Sequence, residues 1–400
     1  MKVLVINCGS SSAKFQLIET SDGTVLAKGI IERIGFEHAG FTYTLANGDT
    51  KVEIMPVPDH KVALRKILER LTAGSDSVVK DLSEIGAIGH RFVNGGSRFV
   101  ESVVWNPEVH KDLKEVLDLA PLHNPANMLG IEACLDAIPQ TPQVIVFDTA
   151  FHSRMKPEAY FYALPYIYYE RYGIRKYGFH GTSHYYVSRR AAELAERPVE
   201  DLLIITCHLG NGCSIDAIRD GYAIETSMGF TPHEGLIMGT RSGDVDAAAI
   251  LYIMKKEGIS PEDMDDIINK KSGLLGTTGI SPDIREIIDA ASSGNERAQL
   301  CLRMFAHRIK KYIGAFAGFL GGLDVLVFTA GIGENSPLIR SMACEGLSFL
   351  GIEVDETKNN TVPKGRETAI HHDGSPVSIF VIPTNEEIVI AREAEKLCGL

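Results

Sequence analysis

The sequence predicts an α/β fold with buried sheets, divided between two domains. Three observations support this prediction: short β-branched runs alternate with helical patterns, one strand–turn–strand motif recurs in the second half, and the chain is long. At 400 residues, with 44% apolar and 23% charged side chains, it has the size expected for two domains and an ordinary globular composition.

Six short runs of strand-forming residues each end in glycine or in a polar turn. They are Val3–Ile6, Ile85–Ile88, Val144–Phe147, Leu203–Thr206, Val325–Thr329 and Ile379–Ile382. Longer helical patterns accompany them at Val62–Thr72, Ala298–Phe319 and Asn385–Leu397. Strands that alternate with helices are typical of sheets covered by helices, which is the basis of the α/β assignment.

One strand–turn–strand pattern occurs twice. Val3–Ile6 leads into the small and polar residues Asn7–Ser12 and then into a second strand. Much later, Leu203–Thr206 leads into Cys207–Gly212 and again into a second strand. A glycine-rich hairpin is common in proteins, but its repetition predicts a duplicated architecture, with one copy in each half and both copies facing a shared cleft.

The domain boundary is expected near Ala150, because the strand before it ends in the polar pair Asp148-Thr149. No linker rich in proline or serine marks a different boundary. The break at Pro383–Asn385 uncouples the last helix from the strand before it, so we expect this helix to return to the first domain.

Charge and composition argue against several classes of protein. The net charge of −12 disfavours a general nucleic-acid or membrane-surface role, since both need a basic surface. The seven scattered cysteines, without a C-x-x-C pair, favour free thiols over disulfides or a zinc site. The first apolar run is too short for a signal peptide, and the longest apolar stretch contains Asp324 and several glycines. We therefore expect a cytoplasmic protein.

Three glycine-rich turns are suited to phosphate. Asn7–Lys14 combines small residues, whose N–H groups can converge on an anion, with three hydroxyls and a lysine. His208–Gly212 offers a second turn, and Ala330–Asn335 follows a strand and precedes a helix start, a setting suited to a nucleotide. Each turn alone has a structural alternative as a tight hairpin, but three in one chain favour phosphate binding.

Two arginines lie in unusually polar segments. Arg91 is in Gly89–Gly96, which follows a buried strand, and Arg241 lies among the small residues of Gly239–Asp244. The planar guanidinium suits carboxylate and phosphate oxygens. A structural salt bridge, for example between Arg241 and Asp244, is an equally good interpretation of the composition alone.

Histidines and one aspartate complete the set of candidates. His180 and His184 have helical spacing, which is compatible with a metal pair, but no third ligand is evident. A helix start capped by threonine or serine, with one histidine exposed to a cleft, is the better interpretation. His123 is held between two prolines, and Asp148 ends a strand, where α/β proteins place functional groups.

Taken together, these motifs resemble the acetate kinase (acetokinase) family of short-chain acyl kinases, in the superfamily of actin, sugar kinases and heat-shock ATPases. The resemblance runs from Val3 to the C-terminal tail. It is carried by Asn7–Lys14, GHRFVNGG (89–96), APLHNPAN (120–127), VFDTAFH (146–152), FHGTSH (179–184), HLGNG (208–212), MGTRSGD (238–244), GIGEN (331–335) and PTNEE (383–387). Nine motifs in the family's order are highly specific.

The resemblance implies a role for each matching residue. Asn7 and Glu386 resemble the residues that position Mg²⁺, with Mn²⁺ as a substitute, and Asp148, His180 and Arg241 resemble the catalytic residues. The residues expected to hold the acyl substrate are Arg91, Val93, Leu122, His123, Phe179 and Pro232. The residues expected to bind the nucleotide are Lys14, His208, Leu209, Gly210, Asn211, Gly212, Asp283, Ile284, Arg285, Gly331, Ile332, Gly333, Glu334 and Asn335.

The resemblance also implies a fold and an assembly. The expected fold is a duplicated ribonuclease-H-like (actin-like ATPase) pair of domains with a central interdomain cleft. Residues 1–150 with the C-terminal helix 385–400 would form the N-terminal acyl kinase domain, and residues 151–384 the nucleotide-binding and dimerisation domain of a homodimer. The implied reactants are ATP and acetate, or ADP and acetyl phosphate, with no nucleic-acid or membrane partner.

Two alternative functions stay open at this point. A sister enzyme acting on propionate or butyrate is the nearer one; the β-branched Val93 would narrow the acyl pocket and favour acetate, although one methylene is worth only about 1–3 kcal/mol. An actin-like nucleotide-binding switch without a small substrate is the other. It predicts two phosphate hairpins but gives no reason for Arg91 and Arg241.

Overall fold

The computed structural model describes residues 1–74 and 76–399. Within them the chain divides into two compact units. Unit 1 comprises Met1–Ser153 together with the C-terminal segment from Asn385, and unit 2 comprises Arg154–Thr384. The predicted C-terminal domain segment ends at Leu400, which lies outside the described residues.

Unit 1 is built on an eight-stranded sheet. Its strands β1 to β8 are Lys2–Gly9, Ser12–Glu19, Thr24–Glu32, Ala39–Leu45, Thr50–Met55, Ile85–Phe92, Val103–Val104 and Gln143–Phe147, in the order β5-β4-β3-β2-β1-β6-β8-β7. β1 is antiparallel to β2 and parallel to β6, which is parallel to β8. The carboxyl ends of β1, β6 and β8 therefore meet at one edge of the sheet, where α/β proteins place functional groups.

Three helices of unit 1 are α1 (His60–Thr72), α2 (Pro107–Glu115) and α3 (Asn124–Ala137). The Asp59 side chain starts α1 by accepting a hydrogen bond from the Val62 backbone N–H at 2.8 Å. The buried face of α1 packs into the core that also holds Phe15 and Phe41 of the sheet. A one-sided apolar stripe of this kind is what attaches a helix to a sheet.

Unit 2 repeats the central part of this plan. Its strands β9 to β14 are Ile204–Leu209, Cys213–Arg219, Tyr222–Thr226, Val325–Thr329, Thr368–Ala369 and Ser378–Val381, in the order β11-β10-β9-β12-β14-β13. β9 is antiparallel to β10 and parallel to β12, and β12 is parallel to β14. The series β3-β2-β1-β6-β8 of unit 1 thus recurs as β11-β10-β9-β12-β14, which confirms the predicted duplicated α/β architecture.

The helices of unit 2 lie between and around these strands. They are α4 to α14: Pro157–Tyr160, Ile167–Tyr172, Gly181–Leu194, Ala247–Glu257, Pro261–Lys270, Gly273–Thr278, Ile284–Ser292, Glu296–Leu320, Ala330–Asn335, Pro337–Cys344 and Glu356–Asn360. Among the described residues, no helix is both long enough and apolar enough to cross a bilayer.

The final helix, α15 (Glu386–Cys398), belongs to unit 1, where it packs against β1, β6 and β8. Gly89 in β6 makes this packing possible, because a Cβ atom there would lie 2.5 Å from Ile390 Cγ2. Segments that precede and follow unit 2 in the sequence thus belong to the same unit.

Three local predictions are wrong. β6 extends to Phe92, so Arg91 lies within a strand and not in the glycine-rich segment after it. Residues 330–335 form the short helix α12 instead of a turn. His180 occupies the N-cap position of α6 and no side chain caps this helix, so the expected threonine or serine cap is absent at this described helix start.

Candidate active site

The first glycine turn joins β1 to β2 in unit 1. Asn7 and Lys14 face each other across this hairpin, and Gly9 pairs with Ser12 at its tip. The Gly9 carbonyl lies 2.8 Å from His60 Nε2, which ties the turn to the start of α1. Lys14 is exposed. The hairpin thus places an amide and a free ammonium side by side, as a phosphate site requires.

Arg91 and Asp148 form a bidentate ion pair in unit 1. Arg91 Nε donates to Asp148 Oδ1 at 3.0 Å and Nη2 donates to Oδ2 at 2.5 Å. Asp148 is 1% exposed and follows β8, which is the parallel neighbour of the strand that carries Arg91. Burial opposes the charged guanidinium, but the carboxylates of Asp148 and Glu386 outweigh it, so the pKa of Arg91 is raised.

Glu386, at the start of α15, has an unusual carboxyl group. Burial raises its pKa to about 7, helped by the like charges of Asp148 and Glu387, whereas Arg91 and Lys14 act in the opposite direction. The anionic form is therefore only partly compensated by its neighbours. A divalent cation would supply the missing positive charge.

The predicted Mg²⁺ ligands fit such an ion. Among residues 1–74 and 76–399 no cluster of three or more His, Cys, Asp or Glu side chains is arranged to hold a metal. Mg²⁺ commonly takes only one or two protein carboxylates and completes its shell with water and substrate phosphates. One amide oxygen from Asn7 and one carboxylate from Glu386 match that donor set.

Two buried asparagines, which the sequence analysis did not single out, shape this part of unit 1. Asn127 Oδ1 accepts from Val93 N at 3.1 Å, and its Nδ2 donates to the Cys8 carbonyl at 2.7 Å. Asn124 Oδ1 accepts from Asn94 N at 3.1 Å. These amides connect α3 to the ends of β1 and β6. Two asparagines with i, i+3 spacing in the first turn of a helix were the signal that could have revealed them.

The other acyl-site candidates of unit 1 differ in exposure. Val93 is 3% exposed, so its side chain can limit the size of an acyl site only from within the protein interior. Leu122 is 57% exposed. His123 occupies the N-cap position of α3, without a capping hydrogen bond from its side chain. The structure therefore builds Val93 into the protein interior and leaves Leu122 at its surface.

In unit 2, His180 has a backbone conformation that is rare for a residue with a side chain, with φ 57° and ψ 24°. Non-glycine residues in this left-handed region are often found at functional sites, where the surroundings hold them in place. Here the His180 ring stacks on His208 with 4.1 Å between ring centroids, and its Nδ1 lies 2.8 Å from Ser214 Oγ.

The second glycine turn of unit 2 brings three motifs together. A Cβ atom added to Gly212 would lie 3.4 Å from His180 Nε2 and 3.6 Å from Arg241 Nη1. Asn211, in the same turn, accepts a hydrogen bond on its carbonyl from Gly239 N at 3.0 Å. The segments predicted to bind phosphate and to contribute the catalytic histidine and arginine are therefore adjacent.

Arg241 donates to a backbone carbonyl. Its Nη1 lies 2.8 Å from the Pro232 carbonyl oxygen, and no acidic side chain of the described residues forms an ion pair with it. Burial lowers its pKa. The salt bridge with Asp244 is not formed; Asp244 instead accepts from Gly235 N at 2.8 Å and from the Tyr312 hydroxyl at 2.9 Å. The positive charge of Arg241 remains available to an anion.

Besides the turn His208–Gly212, the nucleotide candidates of unit 2 lie in two places. α12 holds Gly331–Asn335 and follows β12, which is parallel to the strand before the second glycine turn. Asp283 caps α10 by accepting from Arg285 N at 2.9 Å. Hydrogen bonds from the Arg285 side chain and backbone lower the pKa of Asp283 to about 2.

Arg340, which was not predicted from the sequence, binds the C-terminal end of α12. It is fully buried and donates to the carbonyls of Gly333 at 2.8 Å and Glu334 at 3.0 Å. Its other donors reach Asn359 Oδ1 at 2.7 Å and the Asn359 carbonyl at 2.9 Å. The last carbonyls of a helix lack partners within it, and a buried guanidinium supplies them here. No local sequence signal marks this residue.

The sequence matches the acetokinase family over residues 2–392. The chain belongs to the acetokinase family. It is 56% identical, over 399 residues and the whole of both chains, to the acetate kinase of Dictyoglomus thermophilum. This confirms the family predicted from the nine motifs.

Solved structures of the acetokinase family have the same fold. The acetate kinase of Porphyromonas gingivalis is 46% identical, with a TM-score of 0.95 over 99% of both chains. A propionate kinase of Francisella tularensis is 41% identical, with a TM-score of 0.92 over 99% of both chains. The family fold thus accommodates enzymes named for acyl groups of two lengths.

Proposed function

We propose that the chain transfers the γ-phosphoryl group of ATP reversibly to acetate, giving acetyl phosphate and ADP by direct in-line transfer. The observation that carries this proposal is the position of Arg241, whose partly buried, unpaired guanidinium lies beside His180 at Gly212. The guanidinium of Arg241 can therefore bind an anion next to a hydrogen-bond donor and a glycine turn.

The chemistry explains why such a charge is needed. A carboxylate with a pKa of about 4–5 is already ionised at neutral pH, so it needs no general base to attack phosphorus. The difficulty is that one anion must approach another. Catalysts of phosphoryl transfer therefore work mainly by alignment and by compensation of charge.

Each unit contributes a different part of this task in the proposal. Asp148 orients Arg91, and Arg91 Nη1 binds the carboxylate of acetate. This contact directs a carboxylate oxygen of acetate at the γ-phosphate. Arg241 and the proton on His180 stabilise charge on the equatorial oxygens of the phosphoryl group. Lys14, the turn His208–Gly212 and α12 would hold the nucleotide.

Asn7 and Glu386 would hold the divalent cation, Mg²⁺ or Mn²⁺. When bound, this ion supplies positive charge to the nucleotide phosphates. The raised pKa of the Glu386 carboxyl supports this assignment, because a buried carboxylate beside two others is most stable with a cation as neighbour.

The experiment is a set of steady-state measurements of ADP release with acetate, propionate and butyrate. We expect the highest kcat/KM with acetate and a lower value with propionate, since Val93 is β-branched and buried. A preference for propionate would instead favour the activity in the name of the Francisella relative. ADP release that does not depend on any carboxylic acid would contradict the proposal and favour a nucleotide-binding switch.

Assembly and location remain predictions. We expect a homodimer in the cytoplasm, with residues of unit 2 at the dimer contact. Sedimentation velocity of the purified protein measures the first of these; a monomer that retains full activity would contradict it.

A further inference from the structure

A chain of buried hydrogen bonds leads away from His180. Its Nδ1 lies 2.8 Å from Ser214 Oγ, and the same oxygen lies 2.7 Å from His184 Nε2. The other ring nitrogen of His184 lies 2.6 Å from Thr206 Oγ1. Ser214, His184 and Thr206 are all 0% exposed, so water does not compete for these contacts.

The position of the protons in this chain follows from counting donors. A serine hydroxyl has one proton, so Ser214 can donate to only one of the two rings. The carboxyl oxygen Oδ1 of Asp216 lies 3.6 Å from His184 Nε2. A proton on Nε2 is attracted to this oxygen, whereas a lone pair there would be repelled. His184 Nε2 therefore donates to Ser214 Oγ. Among the described residues the two rings are the hydrogen-bond partners of this buried hydroxyl, so its own proton can go only to His180 Nδ1.

This order does not depend on the charge of His184. If the ring is neutral, Thr206 donates to Nδ1 and the single ring proton stays on Nε2. If the ring is protonated, Nδ1 donates to Thr206 and Nε2 still donates to Ser214. In both cases His180 Nδ1 receives a hydrogen bond and cannot carry a proton of its own.

The consequence appears at the other nitrogen of His180. A neutral ring that accepts at Nδ1 carries its proton on Nε2. Nε2 is the nitrogen beside Gly212, on the side where Arg241 Nη1 also lies. We infer that Ser214 and His184 are positioning residues that hold His180 neutral, in the Nε2–H tautomer, so that it donates a hydrogen bond to the phosphoryl group. This inference rests on the proposed function.

Nuclear magnetic resonance of the full-length protein labelled with ¹⁵N-histidine tests the tautomer without reference to activity. The His180 signals are assigned by their loss in His180→Asn, which keeps a residue that tolerates the left-handed backbone. We expect a neutral ring protonated on Nε2 at pH 7.5. A proton on Nδ1, or on both nitrogens, would overturn the inference.

Substitution of Ser214 tests the consequence for catalysis. In Ser214→Ala we expect a mixture of His180 tautomers and a kcat lower by about 10- to 100-fold, with both KM values within about twofold of wild type. His184→Gln should give the same pattern. Ser188→Ala is the matched control, since Ser188 is also fully buried but donates to the Tyr185 carbonyl in α6.

Three results contradict the inference: an unchanged kcat in Ser214→Ala, an effect confined to KM, or an equal loss in Ser188→Ala. The failure of the proposed function looks different. If wild-type protein releases no acetate-dependent ADP, the proposed reaction is wrong, whereas the protonation state of His180 is still read from the spectrum.

Discussion

The principal arginines of the two units differ in their hydrogen-bond partners. In unit 1, Arg91 gives two donors to the buried carboxylate of Asp148. In unit 2, Arg241 donates to the backbone carbonyl of Pro232 and forms no ion pair with an acidic side chain of the described residues. A paired guanidinium is fixed in orientation, whereas an unpaired one keeps its full charge for a ligand.

Under the proposed function, this difference predicts different roles for the two arginines. Carboxylates raise the pKa of Arg91 in spite of burial, while burial lowers the pKa of Arg241 because little opposes it. Both side chains stay protonated at neutral pH. We expect an anion to stabilise the charge of Arg241 more than that of Arg91, because Arg91 already has Asp148 as a partner. Orientation of a substrate thus fits unit 1, and compensation of charge that develops during the reaction fits unit 2.

Removal of Arg241 should have the largest effect. We expect Arg241→Ala to lower kcat by at least about 10²-fold, the scale found when a contact to transition-state charge is lost. Steady-state kinetics in both directions measure this. Arg219→Ala is the control, because Arg219 also donates to backbone carbonyls in unit 2. A change confined to KM would show that Arg241 only binds substrate.

Asp148→Asn tests the pairing in unit 1. Without the carboxylate of Asp148, Arg91 is left with Glu386 as its main acidic neighbour and competes with the metal for it. We expect the apparent affinity for Mg²⁺ to fall about tenfold. Mg²⁺ titrations of the rate and Mn²⁺ binding followed by electron paramagnetic resonance measure it, with Asp112→Asn, in the pair with Arg98, as control.

The competing role for Asp148 is that of a general acid or base. It predicts that Asp148→Asn removes one limb of the pH profile of kcat while the Mg²⁺ dependence stays unchanged. That pair of results would contradict the interpretation of Asp148 as a group that orients Arg91.

Arg340→Lys should affect the nucleotide alone. Lysine lacks the planar fork that reaches the carbonyls of Gly333 and Glu334 and both oxygens of Asn359. We expect KM for ATP to rise about tenfold, with KM for acetate unchanged. Arg308→Lys serves as control. Equal changes in both KM values, with a lower melting temperature, would point to a purely structural role.

The smallest effect concerns stability at mild acid. Burial lowers the pKa of His90, the neighbour of Arg91 in β6, to about 4, against 6.5 in the unfolded chain. Between these values the unfolded state binds a proton that the folded state does not, so stability falls as pH falls through 6.5. We expect a loss of about 2 kcal/mol between pH 7 and pH 5 in wild type.

The variant His90→Gln should lack most of this loss. Urea unfolding followed by the fluorescence of Trp105, the single tryptophan of the sequence, measures it in unit 1. An equal loss of stability in wild type and His90→Gln would show that other groups are responsible.

The sequence predicted the parts of the candidate site that depend on local pattern. The turns at Gly9 and Gly212 follow from runs of small residues, although the third predicted turn is the helix α12. The duplicated order of strands follows from the repeated strand–turn–strand motif. The pairing of Arg91 with Asp148 did not follow, since it depends on which strands are neighbours. Asn127 and Arg340 were missed for the same reason: a buried amide or guanidinium acquires its partners only when distant segments meet.

The error in the end of β6 has a physical cause. The expected end of β6 at Ile88 ignored pairing with β8, which continues to Phe92. Glycine and histidine break a strand pattern when they are read alone, but a parallel neighbour supplies their hydrogen bonds. The roles of the individual site residues remain predictions that the substitutions above can test.

The return of α15 to unit 1 affects how the protein is made. In the order of the sequence, all of unit 2 lies between the strands of unit 1 and the helix that covers β6 and β8. Until that helix is synthesised, the nascent sheet exposes apolar surface that a chaperone can recognise. The sheet of unit 1 therefore stays incomplete while the ribosome makes unit 2.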